Sequence, residues 1–342
     1  MRVDGGSTYY FPAKLFECQV EVESRCYFPG PDGDDGPDEA AHAENLPEGI
    51  DPCRGITLEL TPLSLLTQQG EQNPVGAQGW FASAVLSSLL LLDWRHPILK
   101  RDMEQLVSTT VKTSCENIDS PRTVLELGSG AISLVGMAMT WILAQYQQEH
   151  RKREPDWDAA KNALWTSRVL LTDNNSKCLA QLQINAEHVR TGIQEYFDAS
   201  TYNINTFPDL QLRPLEWDNY DKLQPVLDVE NAGTVDFVLG AELVYTSTGA
   251  EICSYQVTKI LNQNPSAVFW LAQYPRDGWL QVLKIALERQ LPRRLNLQSY
   301  DPTEIHPNVH ALAQRLMPRA KGAQFDLKFI KVVRICLAKE DQ

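Results

Sequence analysis

The sequence predicts an α/β fold: a doubly wound, mostly parallel sheet of seven strands. From residue 122 to about residue 290, short apolar runs of strand length alternate with longer segments of helical pattern. Strands that are joined through helices in this way pair in parallel. Two more strand-like runs, at residues 295–300 and 325–338, close the chain and predict an antiparallel edge.

The size and charge of the chain limit the classes of protein to which it can belong. Its 342 residues, 43% of them hydrophobic, suffice for one large or two ordinary domains. A net charge of −13 disfavours a general nucleic-acid binder, which needs a basic face to displace counterions. The longest apolar run, residues 84–92, is too short to span a bilayer. Seven scattered cysteines without a C-x-x-C pair predict reduced thiols, so a cytoplasmic location, with the nucleus as a second compartment, is expected.

The first 120 residues are predicted to form an N-terminal extension with a helical cap, ahead of the main domain at residues 121–342. Apolar patterning indicates four segments in this extension: strands within residues 9–28 and at 55–60, and helices at 82–92 and 99–111. The helix at 82–92 has strong apolar weight and small residues, which suit close packing.

Residues 29–49 form an acidic segment within this extension. They contain seven acidic residues and no Lys or Arg, among many Pro, Gly and Ala residues. Such a segment cannot bury apolar surface, so we expect it to be disordered. A solvated insertion is the favoured interpretation, and an acidic docking arm for a basic partner is the alternative.

The elements of the main domain follow in a regular order. Strands are predicted at residues 122–127, 168–173, 210–217, 235–242, 267–272, 295–300 and 325–338. Helices are predicted at residues 132–146, 156–165, 177–189, 249–262 and 277–289. In an open sheet of this type, ligands bind outside the carboxyl ends of the strands. Candidate functional residues are therefore those that end each strand.

A glycine turn follows the first of these strands. The stretch Glu-Leu-Gly-Ser-Gly from Glu126 to Gly130 ends the strand with a carboxylate and then breaks it before a helical segment. Glycine has no Cβ, so the backbone of such a turn can approach a ligand closely. The Glu126 carboxylate repels a pyrophosphate but suits a cationic ligand, such as the sulfonium of S-adenosylmethionine. A plain tight turn is the alternative.

An acidic residue also ends the second strand. Asp173 lies where a carboxylate can accept hydrogen bonds from ribose hydroxyls. It is followed by Asn174, Asn175 and Ser176, so it is equally well placed to cap the helix at residues 177–189. The spacing leaves both roles open.

Taken together, the strand ends resemble those of the seven-stranded S-adenosylmethionine-dependent methyltransferases, and among them the lysine methyltransferases related to methyltransferase-like protein 21. The resemblance covers about residues 55–340 and lies in an ordered set: a Trp before the N-terminal helix, Glu-Leu-Gly-x-Gly, Thr-Asp after the second strand, Leu-x-Trp after the third, and Gly-Ala-Glu-x-x-Tyr after the fourth. It implies S-adenosyl-L-methionine as the cofactor. The cofactor contacts it implies are Trp80, Glu126, Gly128, Ser129, Gly130, Asp173, Trp217 and Ala241.

The resemblance also places two residues beside the substrate amine. Glu242 would orient the ammonium of an incoming lysine, and Tyr245 would form the wall against which that amine loses its proton. Judged without the resemblance, Glu242 could instead partner the N-terminus of the helix at residues 249–262, and Tyr245 could be a sheet-edge aromatic. Trp80 could likewise be a core or interfacial aromatic.

The chain departs from the family's pattern at two points. The family commonly reads Glu-Leu-Gly-x-Gly-Thr-Gly-Leu-x-Gly, whereas here Ala131, Ile132 and Ser133 follow Gly130, so that one residue is added and the third glycine is absent. The loop is therefore expected to bulge or to bind the cofactor less tightly. At the second point, Glu242 stands where Asp is more usual.

The expected function is methylation of a lysine on a protein substrate, with a translation factor or a ribosomal protein as candidate classes. One alternative is a methyltransferase for a small molecule or RNA, and another is a catalytically impaired scaffold that binds a partner. The chain is expected to be a monomer, with no membrane or nucleic-acid partner. No metal site is predicted, because the pair His306 and His310 lacks the Glu of a zinc-binding helix and has Pro307 between them.

Overall fold

The structure of the chain is a computed structural model. It describes residues 25–29, 55–59, 81–93, 99, 101–102, 106, 122–153, 168–197, 208–216, 235–244, 246–274, 278–291, 294–316 and 329–338. The acidic segment after Pro29 and the helix predicted at residues 156–165 lie outside the described residues.

Nine strands lie within the described residues. Most lie close to the predicted bounds, but the last begins at Lys331 instead of residue 325, and the strand predicted to reach residue 217 ends at Pro214. Strands β1 (Arg25–Pro29) and β2 (Gly55–Glu59) pair with each other in antiparallel orientation. The other seven strands form one sheet: β3 (Thr123–Leu127), β4 (Arg168–Asp173), β5 (Asp209–Pro214), β6 (Val235–Ala241), β7 (Val268–Gln273), β8 (Leu295–Tyr300) and β9 (Lys331–Leu337).

The order of the strands in this sheet is β5-β4-β3-β6-β7-β9-β8. Strands β3 to β7 are parallel, and β9 runs antiparallel to its neighbours β7 and β8. The predicted seven-stranded, mostly parallel sheet is therefore confirmed. From β3 the chain builds outwards to β4 and β5, then returns to β6 and builds the other half. The strand order thus reverses between β3 and β6, which is where open α/β sheets bind ligands.

Helices cover both faces of the sheet. Their bounds are α1 (Phe81–Asp93), α2 (Leu134–Arg153), α3 (Ser176–Tyr196), α4 (Ser247–Gln263), α5 (Trp279–Gln290), α6 (Pro302–Ile305) and α7 (Val309–Leu316). Helices α4 and α5 share a hydrophobic core with one face, while α1, α2, α3 and α7 share a core with the other. None of the described helices combines the length and the hydropathy that a bilayer-spanning segment needs.

Helix α1 is enclosed within the layer of helices that covers its face of the sheet. It packs against α2 and α7 and also touches β6 and β7. Ser87 and Ser88 are fully buried in it, and each hydroxyl donates over 2.7 Å to the carbonyl four residues earlier, which satisfies both polar groups. Every residue from 131 to 145 is buried as well. The first half of α2 is therefore enclosed on all sides, as expected for a helix with no polar face.

A buried ion pair ties the segment after α1 to the sheet. Asp102 is helical and almost inaccessible, and the guanidinium of Arg334 on β9 donates to both of its carboxylate oxygens, over 2.6 and 2.7 Å. The indole of Trp270 on β7 donates to the same carboxylate over 3.0 Å. These bonds satisfy a charge that would be costly to bury alone.

The amino end of the sheet is held by Asp236. The register between β3 and β6 shifts at Thr123, and the Asp236 carboxylate accepts a hydrogen bond from the Thr123 N–H over 3.0 Å. It also accepts from Arg122 over 2.8 Å and from the amide of Asn264 over 3.2 Å. This network joins β3 to β6 at the amino ends of the strands. The candidate site lies at the other end, where residues follow the carboxyl ends of the strands.

Candidate active site

The carboxyl ends of β3, β4 and β6 lie side by side at the point where the strand order reverses. Leu127 pairs with Thr172 on one side and with Gly240 on the other. The next residue of each strand is Gly128, Asp173 and Ala241, three of the residues that the sequence predicted as cofactor contacts. The fold therefore brings these three predicted residues to one edge.

The predicted glycine turn is present and is joined to the end of β4. Gly128 and Gly130 both adopt the left-handed conformation, with φ of 66° and 62°, which glycine takes without a steric penalty. Between them, the Ser129 N–H donates to the carbonyl of Thr172 over 2.8 Å, and the Thr172 N–H donates back to the Ser129 hydroxyl over 3.1 Å. The turn thus bends from β3 towards β4.

Asp173 holds this turn in place. The residue is 7% exposed; one carboxylate oxygen accepts from the Gly130 N–H over 2.9 Å and the other from the Asn175 N–H over 2.8 Å. The N-cap of α3 is Asn175, whose side chain accepts from the N–H groups of Lys177 and Cys178. The helix-cap role considered for Asp173 is therefore wrong, and its contact with a ribose stays a prediction.

Glu126 lies beneath the turn, between the sheet and α2. Its carboxyl is 4% exposed and bonds to the hydroxyl groups of Ser129 and Ser133 and to the backbone N–H of Gly136. Burial and, to a smaller extent, the negative charge of Asp173 raise the pKa of Glu126 to about 7, against the lowering effect of these bonds. Glu126 thus supports the turn from inside, and a direct contact with a ligand stays a prediction.

Ser133 lies in the part of the loop that departs from the family's glycine pattern. It adopts the left-handed conformation, with φ of 51°, although it carries a Cβ. Its N–H donates to the Ser129 carbonyl and its carbonyl accepts from Met137, both over 2.9 Å. The added residue is therefore absorbed in a compact turn at the start of α2, and this turn keeps its two left-handed glycines.

Glu242 follows β6 and also adopts the left-handed conformation, with φ of 55°. It is 5% exposed, and its carboxylate accepts from the Tyr274 N–H over 2.7 Å and from the Gln273 side-chain amide over 2.9 Å. The N-cap of α4 is Thr246, whose hydroxyl accepts from the Gly249 N–H over 3.0 Å. The idea that Glu242 serves that helix N-terminus is therefore wrong.

Gln273 is a site residue that the sequence reasoning missed. It ends β7, is fully buried, and accepts a hydrogen bond from the Val244 N–H over 3.0 Å while it donates to Glu242. A single amide thus holds the segment after β6 at two points. The available signal was a glutamine at the end of an otherwise apolar strand, Val-Phe-Trp-Leu-Ala-Gln.

The site is electronegative. Within the described part of the chain, neither Glu126 nor Asp173 is paired with a Lys or Arg. Burial, and then the charge of Asp173, raise the pKa of Cys178 to about 12. Asp173 therefore acts as an uncompensated negative charge on two neighbours, an arrangement that favours a cationic ligand.

Three predicted site residues, Trp80, Trp217 and Tyr245, lie outside the described residues. The segment that leads to Trp217 starts beside the site, because the Leu215 N–H donates to the carbonyl of Asp173 over 3.0 Å. Among the described residues, no group of three or more His, Cys, Asp or Glu side chains could hold a metal ion.

The comparisons with known proteins give distant structural likenesses. No family model and no curated protein matches the chain. Similar solved structures include an O-methyltransferase from Bacillus cereus in complex with SAH, with 11% identity and a TM-score of 0.38 over 78% of this chain and 84% of that one. Another is the N-terminal domain of human METTL16 in complex with SAH, with 11% identity and a TM-score of 0.34 over 75% of this chain and 81% of that one.

A third similar structure is precorrin-6y C5,15-methyltransferase from Geobacter metallireducens GS-15, with 11% identity and a TM-score of 0.33 over 79% of this chain and 91% of that one. Likenesses of this size carry neither an activity nor a family to this chain. The function of this chain is therefore inferred from the geometry of its strand ends.

Proposed function

We propose that this chain is an S-adenosylmethionine-dependent methyltransferase that acts on a lysine side chain of a protein. The observation that carries the proposal is the pair of buried carboxylates, Glu126 and Asp173, around a glycine turn at the reversal point of the sheet. Neither has a Lys or Arg partner in the described part of the chain. A pyrophosphate would be repelled there, whereas a sulfonium or an ammonium would be attracted.

The backbone of the turn also fits a cationic cofactor better than a phosphate. A phosphate cradle needs N–H groups that point at the ligand, but the N–H groups of Ser129, Gly130 and Ser133 are bonded to Thr172, Asp173 and Ser129. The residues that would hold the cofactor are Gly128, Ser129, Gly130, Asp173 and Ala241. When bound, S-adenosylmethionine supplies an electrophilic methyl group on a positively charged sulfur.

The choice of a lysine acceptor rests on Glu242. Its carboxylate is held by Gln273 and Tyr274 at the end of β6, on the same edge as the glycine turn. A carboxylate has about four lone-pair positions, so it can accept from these donors and still attract an ammonium. A lysine has a pKa near 10.4 and arrives protonated. Glu242 would hold that ammonium in place, and removal of water would favour loss of its proton.

The first test is cofactor binding by the purified chain. S-adenosylhomocysteine at 100 times its Kd should add about 2.7 kcal/mol to the free energy of unfolding, which scanning fluorimetry detects as a rise of several degrees in Tm. ATP at the same concentration serves as the anionic control and should give no shift. A chain stabilised by ATP and not by S-adenosylhomocysteine would contradict the proposal.

The second test identifies the acceptor. The chain is incubated with S-adenosylmethionine carrying a labelled methyl group and with a lysate that lacks the native enzyme. The labelled protein is then hydrolysed in acid. Label recovered as methylated lysine supports the proposal. Label in RNA or in a small molecule would support a methyltransferase of another acceptor class, and cofactor binding without any transfer would support the scaffold alternative.

A further inference from the structure

Glu126 sits in a pocket of mainly uncharged groups. Its neighbours across the sheet are Leu171 on β4 and Leu239 on β6. From the turn and from α2, it is contacted by two serine hydroxyls and by the backbone N–H of Gly136. Hydrogen bonds solvate this carboxyl, but within the described part of the chain no cation neutralises it.

Within the described residues, the charged group that acts on Glu126 is another carboxylate, that of Asp173 on β4. Glu242 follows β6 at the same edge of the sheet, but its carboxylate is bonded to Gln273 and Tyr274 at the end of β7. Like charges that share a buried site oppose each other's ionisation, and burial together with Asp173 brings the pKa of Glu126 to about 7. The free protein therefore exchanges a proton at this position near neutral pH.

Ser133 is positioned to donate its hydroxyl to the carboxyl of Glu126. The left-handed conformation is sterically unfavourable for a residue with a Cβ, and such strain persists where the surrounding structure requires it. Here the conformation brings the Ser133 hydroxyl to Glu126. The space is tight, because a Cβ on Gly136 would come within 2.7 Å of both Glu126 Oε2 and Ser133 Oγ. Gly136, Ser133 and Glu126 thus fit together as one unit.

We propose that Glu126 is the residue by which this site distinguishes the positively charged sulfonium cofactor from its neutral thioether product, and that Ser133 is its positioning residue. This inference rests on the proposed function. A cation next to the turn stabilises the ionised form of Glu126, so its proton passes to solvent on binding. The α-ammonium is common to both ligands and the thioether sulfur of the product is neutral, so only the sulfonium adds stabilisation that differs between them. The preference for the sulfonium ligand should therefore grow as the pH rises.

The test measures binding without turnover. Isothermal titration gives the Kd of S-adenosylmethionine and of S-adenosylhomocysteine between pH 6 and pH 8, in two buffers that differ in heat of ionisation. For the wild-type chain, we expect the ratio of the two Kd values to shift by roughly tenfold in favour of S-adenosylmethionine as the pH rises. Proton release should accompany S-adenosylmethionine binding and exceed that for S-adenosylhomocysteine. The α-amino groups of the ligands also titrate near this range, but their contribution cancels when variants are compared.

Three variants and one control test the roles of Glu126 and Ser133 in this discrimination. In Glu126→Gln the ratio should lose its pH dependence, and in Ser133→Ala it should weaken. Ser133→Gly removes the same hydroxyl without the backbone strain, so it should behave like Ser133→Ala and excludes misfolding as the cause. Glu288→Gln makes the same chemical change on the exposed surface of α5 and should match the wild type.

Two outcomes would overturn the inference. If Glu126→Gln keeps the wild-type ratio at every pH, Glu126 does not discriminate between the ligands. If both serine variants keep the wild-type values while Glu126→Gln does not, Ser133 is not its positioning residue. Failure of the wild-type chain to bind either ligand would instead refute the proposed function, and the inference with it.

Discussion

The buried amide of Gln273 donates a hydrogen bond to the Glu242 carboxylate, across the ends of two neighbouring parallel strands, over 2.9 Å. Glu242 is also bound by the N–H of the next residue, Tyr274, over 2.7 Å. The side chain that the proposed reaction places beside the substrate amine is therefore held by the end of β7. Its orientation depends on a residue 31 positions away in the chain.

We expect Gln273→Met to lower the rate of methyl transfer by roughly tenfold while leaving the affinity for S-adenosylhomocysteine unchanged. The variant keeps the volume but removes a donor to a charged group, a loss of about 1.4 kcal/mol. Initial rates of label transfer to the lysate acceptor measure the effect. In a Glu242→Ala background, the same change should have a smaller effect, limited to the lost hydrogen bond from the Val244 N–H.

Gln290→Met is the matched control for this experiment. Gln290 lies on α5 and donates to the Ser254 hydroxyl over 3.1 Å, on the face of the sheet that α4 and α5 cover. The Gln290→Met variant should leave the transfer rate unchanged.

Full additivity of Gln273→Met and Glu242→Ala would show that Gln273 does not act through Glu242.

Ser133→Gly should be more stable than Ser133→Ala by about 1 kcal/mol. Both variants lack the hydroxyl that donates to Glu126, and they differ only in whether a Cβ occupies a left-handed position. The free energy of unfolding from urea titrations of the two variants gives this difference directly. Equal stabilities would show that the backbone at this position is not left-handed in solution.

Asp102→Ala should lower the free energy of unfolding by roughly 3 kcal/mol or more, because it leaves the Arg334 guanidinium buried without its partner. Asp209→Ala provides the comparison. It also breaks an Asp–Arg pair, with Arg168 over 3.2 Å, but Asp209 is 44% exposed. We expect a loss of at most about 1 kcal/mol there. Thermal or urea unfolding checks both, and equal losses would contradict the buried geometry.

Glu126 should make the folded chain less stable as the pH rises through neutrality. Its pKa is about 7 in the folded protein, against 4.5 ordinarily, so the folded state binds more protons than the unfolded state between these values. Its contribution is therefore most favourable below about pH 4.5 and is lost as the pH rises through 7, by roughly 3 kcal/mol in total.

The measurement is the free energy of unfolding at several pH values between 5 and 8. Other carboxylates also titrate with folding, so the quantity of interest is the difference between wild type and Glu126→Gln at each pH. This difference should move against the wild type as the pH rises. A constant difference would mean that Glu126 is already ionised at pH 5.

The strands and the turn were predictable because they depend on local patterns. An apolar run followed by Gly-Ser-Gly is enough to predict β3 and its turn, and Asp173 was correctly singled out at the end of β4. The sequence left the helix cap open, because four polar residues in a row can each cap a helix. The side chain of Asn175, which accepts from the N–H groups of Lys177 and Cys178, decides among them.

The contacts that depend on distant residues were not predictable. The sequence gives no signal that Asp102 meets Arg334, 232 positions later, or that Gln273 reaches back to Glu242. The left-handed conformation of Ser133 was also missed, because serine rarely adopts it without a partner nearby. Each of these features arises from tertiary packing, and a single sequence does not reveal such packing.

The position of α1 has a practical consequence for anyone shortening this chain. A fragment that starts at residue 121 contains every strand of the large sheet, yet it lacks the leucine-rich helix that packs against α2 and α7 and touches β6 and β7. The uncovered surface would be apolar and extensive, and a protein in that condition precipitates or binds chaperones. Expression trials should therefore retain residues 81–106 together with the sheet.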